Sequence, residues 1–534
     1  MHSLVNHREA MTVEQDRRVS LLRRAVVAIL IGFVFSASIR WTWRREPVVT
    51  NIEASYHVLL TVQALSQTPA AVHHFLPIVT LGRSLDRDVR FGASVRGPNG
   101  IYYYTSFPPL GFVAPWAFFR LTGLAPTIDH LLIFNLLIHL VATFLLVRLI
   151  VENAEVLGAD EQTTMWIAVL AAGSYLFARE ALYSHGVVYW HHSMFQVVWL
   201  LQLTFAARVL RAGDLGVPIG AVTTTGMVAT SVLGPAIEWS GYLATFGAAI
   251  VCWWWGKRKH HVGARRVAWA TFAAGVVAGM ALVAHFTSVI GVEALRQGLH
   301  DRAAVRSAAH GSTRLLLRGY IDSLGTLLPL VAIVGALFAL TRTARVPSWM
   351  RALCVVAAIP LGENALMSQH AGQYHYDRLK GVVLVIAGLA LMMTLLSERW
   401  RERAIVAWLC AVVWMTSHVE NTRGTPDVPR LAINDSLVSR VRSVARPCAL
   451  YATDGVSRAW VNLTTGGNTY ETVPSVDSVR ALLHARAACQ GIYFNVARDY
   501  GEVMYLWRRA IIVDGSSMKT DTIGWFPPTK TRIR

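Results

Sequence analysis

The sequence predicts a mainly α fold: a polytopic transmembrane helix bundle of about eleven spans, with external interfacial helices and a small C-terminal α/β domain. Three observations predict it. Of the 534 residues, 54% are hydrophobic and 15% charged, against roughly 25% charged in an ordinary soluble domain. The apolar residues gather in runs long enough to cross a bilayer, and the mean hydropathy is +0.41. Short Arg and Lys clusters separate these runs, and Trp rings flank them, as in Trp41-Thr42-Trp43 and Trp253-Trp254-Trp255; such rings favour the headgroup level.

Taken in order, the runs are Ala25 to Ile39, Thr127 to Val151, Thr164 to Tyr183, Ser193 to Val209, Val217 to Trp239 and Gly241 to Trp255. Then come Val267 to Ile290, Ser323 to Leu340, Trp349 to Met367, Gly381 to Leu396 and Ala404 to Ser417. Around Glu238-Trp239-Ser240-Gly241 a hairpin and a single broken helix read alike. The first run follows Arg17, Arg18, Arg23 and Arg24 with no small-residue cleavage site after it, so it reads as a retained span. With the N-terminus cytoplasmic, Lys257-Arg258-Lys259, Arg265-Arg266, Arg399, Arg401 and Arg403 fall on cytoplasmic connections, the positive-inside pattern. An odd number of spans then puts the C-terminus outside, as expected of a multi-pass protein of the cell inner or plasma membrane.

This reading divides the chain into a transmembrane part, residues 1–418, with an external first loop at 40–122, and an external α/β part, residues 419–534. In the loop, Tyr56 to Leu65 and Pro108 to Leu121 read as amphipathic helices lying in the interface. In the tail, Ser436 to Ala445 and Val476 to Ala488 read as helices and Cys448 to Thr453 and Gln490 to Ala497 as a parallel pair of strands, with Tyr500 to Arg509 as another helix. Cys448 and Cys489 are the two cysteines of five outside apolar runs, and adjacent strands would bring them within reach of a disulfide.

The net charge of +18 raises nucleic acid as a partner. The cations lie between apolar runs, however, so membrane lipids and lipid phosphates are the expected partners, with no nucleic acid. The first loop has few carboxylates, Glu46, Glu53, Asp86 and Asp88, amid Arg40, Arg44, Arg45, Arg83, Arg87, Arg90 and Arg96. A carboxylate near the membrane surface can activate a hydroxyl while neighbouring Arg groups hold a phosphate; the plainer alternative is a set of solvated surface charges. A second polar cluster, Ser368 to Lys380, contains His370, His375, Arg378 and Lys380. It reads either as a lined pocket whose cations hold phosphate or as a short hairpin with interfacial anchors.

The stretch Asn51-Ile52-Glu53-Ala54-Ser55-Tyr56-His57 resembles the acidic motif opening the first external loop of GT-C membrane glycosyltransferases, a group that includes protein mannosyltransferases and the lipid A aminoarabinose transferase. The stretch Gly100-Ile101-Tyr102-Tyr103-Tyr104-Thr105-Ser106-Phe107-Pro108-Pro109-Leu110 resembles the Pro-Pro-Leu segment closing that loop. Ile52 stands where those families carry Asp, and Phe107 where they carry His or Lys. The resemblance implies transfer of a sugar from a polyprenyl-phosphate carrier to an unidentified acceptor hydroxyl on the external face. It implies Glu53 as catalytic base, with Asp86 or Asp88 as a second carboxylate, and Arg40, Arg44, Arg45, Tyr56, His57, His370, His375, Arg378 and Lys380 around the substrate. Some members recruit a divalent cation through loop carboxylates, so a metal is an open question. A transporter or lipid flippase is the rival reading, and would predict repeated halves or paired broken helices; an inactive scaffold of the same fold is the third.

Overall fold

The computed structural model describes residues 2–43, 52–81, 89–92, 94–307, 312–325, 327–341, 346–418, 439–454, 457–499, 504–514, 520–523 and 529–531. Helices dominate up to residue 417. Among the described residues, four helices, Arg23–Trp43, Ile128–Val156, His191–Leu215 and Val262–Ile290, are each long and apolar enough to cross a bilayer. A fifth span is reached if Thr313–Leu324 and Leu327–Leu340, bent by 83°, count as one. The eleven runs read from sequence are therefore not eleven clear spans. The remaining runs do form helices, but Glu161–Phe177 and Ala221–Ile237 have 17 residues each. His375–Thr394 and Glu398–Ser417 open on charged turns, and Ser348–Ala358 breaks after 11 residues.

Exposed apolar side chains mark the lipid-facing surface of this multi-pass membrane protein. Val27, Ile31 and Val34 line the first span, Val277, Met280 and Val283 the span Val262–Ile290, and Val406, Val413 and Trp414 the helix Glu398–Ser417. Water would penalise this much contiguous apolar surface, whereas acyl chains do not. Two indoles inside the bundle find acceptors, as hydrocarbon favours: the Trp408 indole donates to Ser174 Oγ at 2.7 Å, and the Trp255 indole to the Leu210 carbonyl at 2.7 Å. The break at 238–241 is a hairpin. Helices Ala221–Ile237 and Ser240–Arg258 turn back on each other so tightly that a Cβ on Gly241 would stand 2.1 Å from the Gly234 carbonyl carbon.

The first loop carries helices Glu53–Gln67 and Leu110–Thr122 and a two-residue antiparallel pair, β1 (Val95–Arg96) with β2 (Tyr102–Tyr103). Helix Glu53–Gln67 does not lie on the membrane surface as an amphipathic element. Ten of its residues are buried, because the tail covers the side that an interfacial helix would turn to water.

The tail forms a mixed sheet of strands β3 (Ala449–Asp454), β4 (Thr469–Glu471), β5 (Gln490–Asp499), β6 (Met504–Asp514), β7 (Thr520–Ile523) and β8 (Thr529–Thr531), in the order β4-β3-β5-β6-β7 with β8 on β6. Strand β3 runs parallel to β4 and β5, and β6 antiparallel to β5. Residues 504–509, read from sequence as part of a helix, belong to β6. The β-branched run Ile511-Ile512-Val513 pairs in register with Tyr493, Ile492 and Gly491, and that pairing extends back through the segment. Cys448 and Cys489 form a disulfide, their Cα atoms 5.7 Å apart.

Candidate active site

The tail meets the first loop through specific polar contacts. Asn468 copies a strand neighbour: its Oδ1 accepts from the Leu81 amide at 3.0 Å and its Nδ2 donates to the Leu81 carbonyl at 3.3 Å. Arg458 donates to the Arg90 carbonyl and to Glu471 at 3.2 Å, its guanidinium 5.0 Å from the centre of the Phe91 ring. Beneath this junction lies a cavity of about 580 Å³, open on one side and within the range of roughly 300–1,000 Å³ usual for small-molecule sites.

Glu53 stands at the rim as the first residue of its helix. Ser457, which caps the tail helix Arg458–Thr465 by accepting from the Trp460 amide at 3.1 Å, donates its hydroxyl to the Glu53 carboxylate. The Ala459 amide donates to it as well. Two helix N-termini therefore converge on one carboxylate, a placement that favours the anion. The side chain keeps an exposed face, yet protein encloses the rest, and that loss of hydration outweighs the donors and pushes its carboxyl up to about 7. This is the range a general base needs near neutral pH.

His57, one helical turn on, forms the cavity floor. Its ring meets Tyr104 edge-on at 4.3 Å between centroids. Burial, with the Arg302 guanidinium adding to it, pushes the imidazole down to about 3, so it stays neutral. His57 Nε2 is buried without a hydrogen-bond partner, the kind of orphan that a bound polar ligand would satisfy. Arg302 brings a cation to the wall, donating to the Tyr104 hydroxyl at 3.1 Å. Trp190, Tyr374 and Tyr376 add aromatic faces, and Gln369, Gln373 and His370 add polar ones. Phe107 reaches the same wall and stacks on His191 at 4.7 Å.

Of the residues singled out by sequence, the structure brings Glu53, His57 and His370 to this cavity. Arg40 is elsewhere: fully buried, its guanidinium donates to Ser36 and to the carbonyls of His185 at 3.1 Å and Leu176 at 3.2 Å. Those acceptors sit inside the bundle, so Arg40 ties helices together. Tyr56 is buried in the loop core and does not line the cavity. Arg378 is spent on Glu180 at 3.3 Å and on the Ala371 and Gly372 carbonyls at 2.6 and 3.1 Å. Lys380 is buried against Glu363 at 2.6 Å, and His375 stacks on Tyr183 at 4.7 Å and bonds Arg378 at 2.8 Å. Among the described residues these three are absent from the cavity lining, and both cations are paired with carboxylates. Arg44, Arg45, Asp86 and Asp88 lie outside the described residues.

The sequence reading missed Arg302 and Ser457. Each comes from a segment whose approach to Glu53 depends on tertiary packing, and neither carries a local signal.

An apolar helix bundle, a long first loop and a tail closing over an acid-rimmed cavity make this a polytopic helical membrane protein. The crystal structure of ArnT from Cupriavidus metallidurans bound to undecaprenyl phosphate matches with a TM-score of 0.50, 13% identity, and coverage of 90% of this chain and 92% of that one. The apo ArnT structure from the same organism matches with a TM-score of 0.50 and 12% identity, covering 90% of this chain and 93% of that one. At such identities the likeness establishes a shared fold. No protein-family model matches the chain, and no curated protein matches it in sequence.

Proposed function

We propose that this chain is a membrane glycosyltransferase that moves a sugar from a polyprenyl-phosphate carrier to an acceptor hydroxyl at the external face of the membrane. The observation that carries the proposal is Glu53 in a cavity whose lining also holds the Arg302 guanidinium. Support for the carrier class comes from the fold shared with ArnT, one of whose structures holds undecaprenyl phosphate. In this reaction the acceptor oxygen attacks the anomeric carbon, the bond from that carbon to the phosphate oxygen breaks, and the lipid phosphate leaves as an anion. Glu53 takes the acceptor proton as attack proceeds. Arg302 stabilises the negative charge gathering on the leaving phosphate, and the Trp190, Tyr374 and Tyr376 faces suit a sugar ring.

Reconstituted protein supplied with polyprenyl-phosphate sugars tests this reading. Glu53→Gln keeps size and hydrogen bonding but removes the base, so transfer should fall by about a hundredfold or more while the protein stays folded. Arg302→Ala should lower transfer through both weaker donor binding and lost stabilisation of the leaving phosphate. Full transfer by Glu53→Gln would remove Glu53 from the mechanism and send the search to Asp86 and Asp88.

A further inference from the structure

Behind the cavity wall lies a second group of titratable side chains that the transfer reaction does not use. His192 opens the span His191–Leu215, Glu238 sits in the hairpin break, Glu363 is in the short helix Gly362–Leu366, and Asp377 is in the first turn of His375–Thr394. All four are buried. His192, Glu238 and Glu363 each present one ligand atom, all within 4.8 Å of one another. Asp377 Oδ1 lies 2.9 Å from His192 Nε2, and Glu238 Oε1 lies 3.3 Å from the same nitrogen.

The carboxylates share a pattern. One oxygen of each is held by a donor behind it: Glu238 Oε2 by the Ser240 hydroxyl at 2.8 Å, Glu363 Oε2 by Lys380 at 2.6 Å, and Asp377 Oδ2 by His370 Nδ1. Glu238 Oε1 and Asp377 Oδ1 are buried and both turn to the same nitrogen, His192 Nε2. A single imidazole N–H could serve one of them at most.

We infer that His192, Glu238, Glu363 and Asp377 bind one divalent cation of the first transition row. One imidazole nitrogen with carboxylate oxygens is a donor set for zinc or manganese, and the donors behind the carboxylates are the outer partners that orient metal ligands. The ligands come from four separate helix breaks. The ion therefore clamps together the segments that carry His370, Tyr374 and Tyr376 into the cavity wall, and it holds that wall without touching substrate.

The test is elemental analysis of the full chain, purified in detergent without chelator through a tag free of histidine, from cells supplied with zinc and manganese. About one equivalent of metal per chain is expected, with a loss of tenfold or more in Glu238→Gln and in His192→Ala. Because either variant could fail to insert, a second arm uses the unaltered chain: chelator should lower its melting midpoint, and zinc or manganese alone should restore it. Metal below about a tenth of an equivalent together with no change of midpoint on adding either ion would overturn the site. Retention of full metal by both variants would overturn it too, since the ion would then sit elsewhere. Neither arm reads transfer, so the outcome is independent of the proposed reaction.

Discussion

Glu53 and Ser457 lie 404 residues apart in sequence, and the fold joins them at the edge of the cavity. Burial raises the Glu53 carboxyl while the Ser457 hydroxyl and the Ala459 amide oppose the rise. In the proposed role of base, Glu53 works in its ionised form, so kcat/KM should climb with pH and level off above about 7. Ser457→Ala removes a donor to the anion, which should move that midpoint to higher pH; a midpoint unmoved or shifted downward would show that the hydroxyl does not tune Glu53. The raised carboxyl also favours the folded state below the ordinary carboxylate range, and this contribution is lost as pH rises through about 7. The placement of Glu53 at a cavity accords with its local motif, an acidic residue just past the first span. The structure sets Arg378 and Lys380 apart from the cavity lining, which the sequence did not indicate. A polar run between apolar runs looks the same whether its cations face a cavity or meet carboxylates, and their partners Glu180 and Glu363 lie 198 and 17 residues away.

Among the elements, the helix Glu53–Gln67 shows how a neighbour can change the reading of a correctly located segment. Its apolar residues predict a helix, and the structure has one, but the tail helix Arg458–Thr465 and the Asn468 clamp convert an interfacial face into a buried one. Asn468→Ala strips partners from the Leu81 amide and carbonyl, which should cost about 1–3 kcal/mol locally and appear as faster hydrogen exchange around residues 76–81; unchanged exchange there would discount the clamp. The hairpin at 238–241 rests on a different device. Its turn requires backbone contact between Gly234 and Gly241, so Gly241→Ala should destabilise the bundle by about 1–3 kcal/mol through overpacking, read as a lower melting midpoint in detergent. No effect would mean that the two helices can part without penalty. The periodicity of the sequence could not distinguish this hairpin from a broken helix, because both place the same apolar residues on either side of Glu238. The tail strand Met504–Asp514 was lost for a related reason: pairing across a sheet, and not local propensity, decides its first half.

At the scale of the molecule, the apolar runs and their order were readable from sequence, since lipid contact imposes composition directly on the chain. The number of spans was not, because short or charged helices such as His375–Thr394 are held by neighbours inside the bundle. Orientation can be argued from two ends. At the end of helix Ser240–Arg258, Lys257 and Arg258 lie over Trp253 and Trp254, 5.5 and 5.3 Å from the ring centres, an arrangement suited to the cytoplasmic headgroup level. At the other end, the Cys448–Cys489 disulfide spans a sequence separation of 41, and bonds of this kind persist in oxidising compartments outside the cytosol. Both features agree with the proposed topology, in which the tail and the Glu53 cavity face the external side. A reporter fused after Arg534 should therefore be active only outside, and one inserted at Lys257 only in the cytoplasm. The disulfide gives the same topology a thermodynamic signature. Closing a loop of this length stabilises the tail by about 4 kcal/mol in the chain-entropy model, so Cys448→Ala should lower the tail's melting midpoint, and a reductant that cannot cross the membrane should act equally on intact cells. Cytoplasmic activity of the C-terminal reporter, or a tail whose thiols react only after the membrane is broken, would reverse the orientation and place the transfer site on the wrong face for the proposed reaction.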